Sequence, residues 1–375
     1  MDALDVAIKK SGADAFVLYA SSDDADIRYL TRFVVHDPFV FLKRHGQPGT
    51  IIVSQMEGER ASRESTAAVM TRTQAGLPDI LKKEKNPWKA LAQMIVGQAG
   101  KTLLVSPNLP AALVRALEEH ARVLVDEGTV EQMRAIKTPQ EIAWMKSVQK
   151  NTDDAMALAC SLIHKATIKK GMLYHAGAPL TSEYVRTAVQ KHLMDCGCRA
   201  VETIVSCGED TALPHAIGSG HLVAYEPIVI DMFPKDEATG YFADMTRTVS
   251  KGDPDPEIFD MYEAVLDAKS FVTPLVKARV TGADMYHAVV DFFSERGYES
   301  TTRGFVHNLG HGVGLQVHEL PTIGAAGTAL RAGHVITVEP GLYYPGIGGV
   351  RLEDMGVVTG KGFSTFTQFP EELVV

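Results

Sequence analysis

The chain has 375 residues, 45% of them hydrophobic and 22% charged, with a formal net charge of −9. That length buries a sizeable core and favours two domains over one, while the acidic balance and the lack of a basic stripe argue against nucleic acid as a partner. No apolar stretch reaches the ~18 residues of a membrane span. The four cysteines, Cys160, Cys196, Cys198 and Cys207, form no C-x-x-C pair, so neither a disulfide framework nor a structural zinc site is expected. The start MDALDVAIKKSG has no signal-peptide core, and a cytoplasmic protein is the expectation.

Residues 2–11 read as a short amphipathic helix stopped by Gly12, and ADAFVLY follows as a buried strand. A polar turn over 21–25 leads into DIRYLTRF, and PGTIIVSQMEGERA reads as a strand running into a helix start. From 86 to 124 helical and strand-like runs alternate: PWKALAQMIVGQ, KTLLVS, LPAALVRALEEH and ARVLV. This alternation predicts a smaller α/β domain over residues 1–127, its sheet covered by helices. No Gly-x-Gly-x-x-Gly follows any of its strands, so a dinucleotide site has no support. Its expected roles are dimerisation and walling a cleft.

The character changes near residue 128, where a second domain over 128–375 is expected to begin. TPQEIAWMKSVQKNTDDAMALACSLI carries apolar residues at helical spacing, with Thr138 and Glu141 placed for a capping box and Pro139 in the first turn. A further helix is expected from Thr181 or Ser182 to Asp195. Strand-like runs then dominate (AVETIVSC, HLVAYEPIVIDMF, GYFADMTRTVS), interrupted by DPEIFDMYEAVLDAKSFV and TGADMYHAVVDFFSERG as helices. FVHNLGHGVG, HVITVEPGLYY and GVRLEDMGVVTG complete the set. The expectation is an α+β fold with a mostly antiparallel sheet, in an order that suggests an internal duplication.

Its chemistry lies in acids at strand ends. Asp231 ends PIVIDMF and Asp244 lies on the next strand, separated by the polar turn PKDEATG; paired across it, the two carboxylates would face each other. Glu339 and Glu353 repeat the device around PGLYYPGIGG. Carboxylates packed into an apolar sheet would repel one another and lose hydration at a cost of several kcal/mol, which divalent cations would remove. An oxygen-rich set with one imidazole suits manganese, cobalt, iron or zinc, and bridging carboxylates could hold two ions ~3.5–4 Å apart.

The imidazole is His311 in HNLGHGVG, whose glycines would let the backbone pass close to a ligand. His307 lies four residues earlier; in an extended strand it would face the same side as His311 and stand over the substrate. By themselves, His215 in LPHAIG and His318 in VHELP read equally as partners of loop carbonyls or turn caps, and Arg351 as a partner of Glu353 or Asp354. Asp236, Glu237 and Glu319 read as solvated groups or as supports of the ligands.

These motifs, with PHA at 214–216, GYFADMTRT, GHGVGLQVHELP, VEPGLYYPGIGGVRLED and RAIKTPQEI, resemble the pita-bread metallopeptidases, the family of methionine aminopeptidase, aminopeptidase P, prolidase and creatinase. The resemblance runs through nearly the whole chain and implies a pita-bread catalytic domain behind a creatinase-like N-terminal domain. It implies Asp231, Asp244, His311, Glu339 and Glu353 as ligands of two divalent ions, manganese first, with Asp244 and Glu353 bridging. It also implies cleft roles for His215, His307 and His318, with one of them orienting the scissile carbonyl. Arg351 resembles the arginine of the proline-handling branch, and it or a residue of the N-terminal domain is expected to meet a dipeptide's carboxylate. One departure stands out: Asp231 sits in D-M-F-P where the family has D-x-G, thirteen positions before Asp244 instead of eleven. Two added residues preserve strand parity.

What the resemblance implies is a homodimeric Xaa-Pro dipeptidase acting on short peptides with proline second. Two ions would activate a water, Glu339 would move its proton, and His318 and His215 would steady the oxyanion. Aminopeptidase P, a same-fold hydrolase or lyase of a small metabolite, and a silent binding protein are the alternatives, in that order.

Overall fold

The computed structural model describes residues 2–200 and 202–375. It divides into two compact units, Met1–Arg134 and Ala135–Val375. No helix among the described residues is long and apolar enough to cross a membrane.

The first unit opens with the helix Ala3–Ser11, capped by Asp2, which accepts from Leu4 N–H, and ended by Gly12 at φ 69°. Its sheet contains β1 (Ala15–Ala20), β2 (Phe39–Arg44), β3 (Thr50–Val53), β4 (Ala68–Thr71), β5 (Thr102–Val105) and β6 (Arg122–Val125). The order is β4-β3-β2-β1-β5-β6, antiparallel where β2 meets β1 and β3 and parallel elsewhere. Because side chains alternate, Ala15 and Val17 of β1 enter one core and Phe16 and Leu18 the other. That two-sided burial explains why ADAFVLY is a continuous apolar run. DIRYLTRF folds as the helix Ala25–Thr31, capped by Asp24.

The second unit starts with the helix Pro139–His164, closed by the Thr138–Glu141 capping box. A short meander over Thr167–Pro179 leads to the helix Ser182–Asp195, capped by Thr181. A three-stranded antiparallel sheet follows: Ile204–Cys207, Ile228–Met232 and Met245–Val249. Val201, within the expected strand AVETIVSC, lies outside the described residues. The second half begins with the helices Pro256–Val272 and Gly282–Glu295, the latter capped by Thr281. A five-stranded antiparallel sheet follows, ordered Glu319–Ile323, Gly310–Gly312, Val335–Val338, Asp354–Val358, Phe363–Thr365, with a hairpin Gly341–Tyr344/Gly348–Arg351 beside it. Each half thus builds two helices and then an antiparallel sheet. The two shorter threonine-capped helices have 14 residues each, which fits the suggested duplication. The second half's core joins Met261, Val265, Val289 and Phe293 of its helices to Ile336, Val338 and Val350 of its strands and to Leu352.

Candidate metal centre

Asp231 and Asp244 do not oppose each other directly. Asp231 pairs with Thr246 and Met232 with Met245, so the register continued one place sets Asp244 opposite Phe233. The two acids are diagonal neighbours on one face of the ladder, within reach of a shared ligand. The longer turn keeps this parity, and its Lys235–Asp236 segment pairs with Cys198–Arg199. Asp236 caps the turn by accepting from Thr239 N–H and Oγ1–H, while Glu237 is exposed and ion-paired to Arg199 at 3.2 Å. The third position of D-M-F is therefore a half-buried phenylalanine on the acids' side of the strand.

The glutamates do oppose each other. Val335↔Val357 through Val338↔Asp354 is one register, and Gly341↔Arg351 resumes the same register beyond the gap. Glu339 and Glu353 occupy the break between the two stretches, opposite one another. Thr246 ties the ladders together: its carbonyl accepts from Glu353 N–H at 3.1 Å and its hydroxyl donates to Glu353 Oε2 at 2.7 Å.

The four acids differ in counter-charge. Asp231 is paired with the Arg351 guanidinium at 2.6 Å and Glu339 with His311 Nε2 at 3.2 Å. Burial alone would raise Glu339, but the hydrogen bond and charge of His311, backed by His307 and Arg351, carry its carboxyl down to about 2. Asp244 and Glu353, 4% and 2% exposed, are more weakly countered: His311 Nε2 lies 3.7 Å from Asp244 Oδ2, and Glu353 Oε2 accepts from the Thr246 hydroxyl. Burial pushes both well above the carboxylate range, and repulsion adds to it, for Asp244 from Glu353 and Asp231 and for Glu353 from Glu339 and Asp231. Ligand atoms of Asp244, His311 and Glu353 all lie within 4.8 Å of one another, a group able to hold a metal ion. Asp231 Oδ1, moreover, is buried with no hydrogen-bond partner among the described residues. A convergent oxygen-rich donor set with an unsatisfied buried oxygen and two weakly countered acids fits a divalent cation.

His311 is oriented for this role. Its backbone N–H donates to Thr337 Oγ1 at 3.1 Å, and its Nδ1 lies 3.2 Å from the Gly312 carbonyl, which leaves Nε2 toward the acids. The flanking glycines serve a different purpose from the one expected. A Cβ on Gly310 would meet the Thr337 carbonyl oxygen at 2.2 Å, and one on Gly312 the Leu320 carbonyl oxygen at 2.1 Å. The glycines admit neighbouring strands.

His318 stands edge-on to His311, ring centroids 4.2 Å apart, and is exposed, as is His215. His215 is near enough to depress the pKa of both His307 and His318, although burial is the larger cause in each. His307 lies outside the Gly310–Gly312 strand, so no shared strand face sets it over a substrate. Its Nδ1 is 2.7 Å from the Asn308 carbonyl and its Nε2 3.0 Å from the Tyr343 hydroxyl. Arg351 pairs with neither Glu353 nor Asp354. Besides Asp231, its guanidinium donates to Tyr343 Oη at 2.7 Å, Thr246 Oγ1 at 3.1 Å and the Pro214 carbonyl at 3.3 Å. Asp354 instead receives Arg247 and Lys269. Tyr343 and Thr246 carry no separate signal in the sequence, although both lie inside its motifs. Lys137, in the IKTP context, forms an ion pair that buries Glu319, a glutamate expected to be solvated or supporting.

The arrangement defines a metal-dependent hydrolase site. Residues 143–360 match the model of metallopeptidase family M24. The chain is 30% identical over 335 residues to the Xaa-Pro dipeptidase of Pyrococcus horikoshii, an alignment covering 88% of this chain and 86% of that protein. Among solved structures it resembles the Xaa-Pro dipeptidase from Bacillus anthracis, with a TM-score of 0.84, 26% identity and coverage of 99% of this chain and 98% of that one. It also resembles the X-Pro aminopeptidase from Thermotoga maritima, with a TM-score of 0.80, 25% identity and coverage of 98% and 99%. The chain belongs to metallopeptidase family M24.

Proposed function

We propose that this protein is an Xaa-Pro dipeptidase that hydrolyses the bond before proline in short peptides. The observation that carries the reading is the buried pair Asp244 and Glu353, raised by desolvation and by the neighbouring acids, whose ligand atoms converge with those of His311. The names of its relatives supply the substrate class. Asp231, Asp244, His311, Glu339 and Glu353 would hold two divalent ions, manganese first, with Asp244 and Glu353 shared between them. When bound, such ions supply Lewis acidity that polarises the scissile carbonyl and makes water acidic enough to attack.

The chain's own residues do the rest. Glu339, held ionised by His311, accepts a proton from the attacking water as oxygen bonds to the carbonyl carbon. It returns that proton to the proline nitrogen as the C–N bond breaks, leaving a free residue and proline. His318 and His215, both exposed beside the acids, steady the developing oxyanion. His307 and Tyr343 form the wall that Arg351 braces; Arg351, engaged with Asp231, acts through that acid and not on the substrate carboxylate. A homodimer in a cytoplasmic setting completes the reading and is checked by light scattering and fractionation.

The test is metal-stripped protein with and without manganese, cobalt or zinc, offered Gly-Pro, Ala-Pro and an Xaa-Pro tripeptide, with products followed by mass. Metal-dependent cleavage of the dipeptides is expected. Preference for the tripeptide moves the assignment to an aminopeptidase P, and two bound metals with no peptide cleaved moves it to a small-molecule hydrolase.

A further inference from the structure

The loop from Gly312 to His318 joins two site histidines, His311 at its start and His318 at its end, whose rings meet edge-on. Glu319, the next residue, turns back into this loop. It stands opposite Gly312 across a break in strand register between His311 and Gly312. Its carboxylate fills the space beside Gly314, where an added Cβ would lie 2.2 Å from Oε1. The same Oε1 is 2.5 Å from Lys137 Nζ, and both side chains are 1% exposed. Lys137 is itself fixed: its backbone N–H donates to the Gly333 carbonyl at 2.9 Å, and Gly333 lies in the turn that opens Val335–Val338, the strand leading to Glu339. One cation therefore links the root of the Glu339 strand to the residue that carries His318.

We propose that Lys137 and Glu319 are positioning residues that fix the His318 imidazole against His311. This deepens the dipeptidase reading and rests on the role given there to His318. An ion pair closing a loop at its base restricts the backbone that aims the last side chain, and a misplacement near 1 Å is enough to be costly in a site of this kind. The alternative is a pair that supports folding only, with no bearing on His318.

Single substitutions at either residue break a buried ion pair from one side and risk unfolding, so the double variant Lys137→Met/Glu319→Gln is the main instrument. Full-length, metal-loaded enzyme is assayed on Ala-Pro with metal content measured in parallel. The double variant is expected to keep its metal and its KM within about threefold while kcat falls about 10–100-fold. In a His318→Ala background the same two changes are expected to add little, because residues acting through one group are not additive. Full additivity, or unchanged kcat, overturns the proposal. A second readout needs no substrate: in the zinc-loaded protein, the His318 imidazole NMR signals are expected to shift and broaden in the double variant, and unaltered signals overturn the proposal. Wild-type protein inactive on Ala-Pro would fail the dipeptidase reading, while the NMR measurement would still decide the positioning.

Discussion

Two ladders deliver the four acids, and in each one acid has a close counter-charge and the other is more weakly countered. Asp231 has Arg351 at 2.6 Å and Glu339 has His311 at 3.2 Å; Asp244 lies 3.7 Å from His311 Nε2, and Glu353 accepts from the Thr246 hydroxyl. The contrast lies in the neighbours, since all four acids follow or enter strands of similar composition. The compensated acids are the ones the chain holds in place itself. The weakly countered ones, with His311, form the group able to hold a metal ion, and protein stability is lower there for the sake of the site.

The largest expected effect breaks the compensated side. Arg351→Met strands Asp231 as a buried charge and should destabilise metal-free protein by about 3–5 kcal/mol in urea unfolding. Added manganese should recover part of that loss, since binding favours the folded state.

His334 sharpens the comparison from the imidazole side. Glu339 raises His311 against the effect of its burial, whereas His334, buried beside Lys137 and Arg331 with no acid, is lowered to about 4, burial first among the causes. A histidine depressed from 6.5 to about 4 contributes stability that is fully present above pH 6.5 and lost as pH falls through 4. His334→Asn retains an acceptor for Arg331 N–H and should remove up to about 3 kcal/mol of acid sensitivity in that window, read as the difference between wild-type and variant urea midpoints.

Breaking the weakly countered side should have the opposite sign. Asp244→Asn relieves desolvation and repulsion, so the metal-free variant should be more stable in urea unfolding, with metal per chain falling in equilibrium dialysis. A variant less stable without metal and fully loaded with it would contradict the division drawn above. The smallest signal is protonic. With their pKa values raised, Asp244 and Glu353 retain protons further toward neutral pH in the metal-free site, and metal must displace them. Manganese binding should therefore release protons into weakly buffered solution, and its affinity should rise with pH.

Much of this was legible in the sequence because local rules carried it. The Thr138–Glu141 box, the Thr181 cap and the Gly12 stop were realised as written, since a cap depends on residues within one turn. The strand-end acids were visible because an acid after an apolar run is conspicuous, and strand parity placed Asp231 and Asp244 on one face despite the longer turn. The offset between those two acids was not visible, because register is set by the partner strand. The purpose of Gly310 and Gly312 was likewise hidden: the atoms that exclude a Cβ belong to Thr337 and Leu320, reached only across the sheet.

Local pattern in the chain encodes the strand-end acids, the caps beside Thr138 and Thr181 and the antiparallel character of the second unit, because each follows from near neighbours or from a period of two or 3.6 residues. Tertiary structure alone decided which acid receives which charge. Asp231 and Arg351 lie 120 positions apart and Lys137 and Glu319 182 apart. A pairing over such distances depends on which strands meet, which no local pattern encodes.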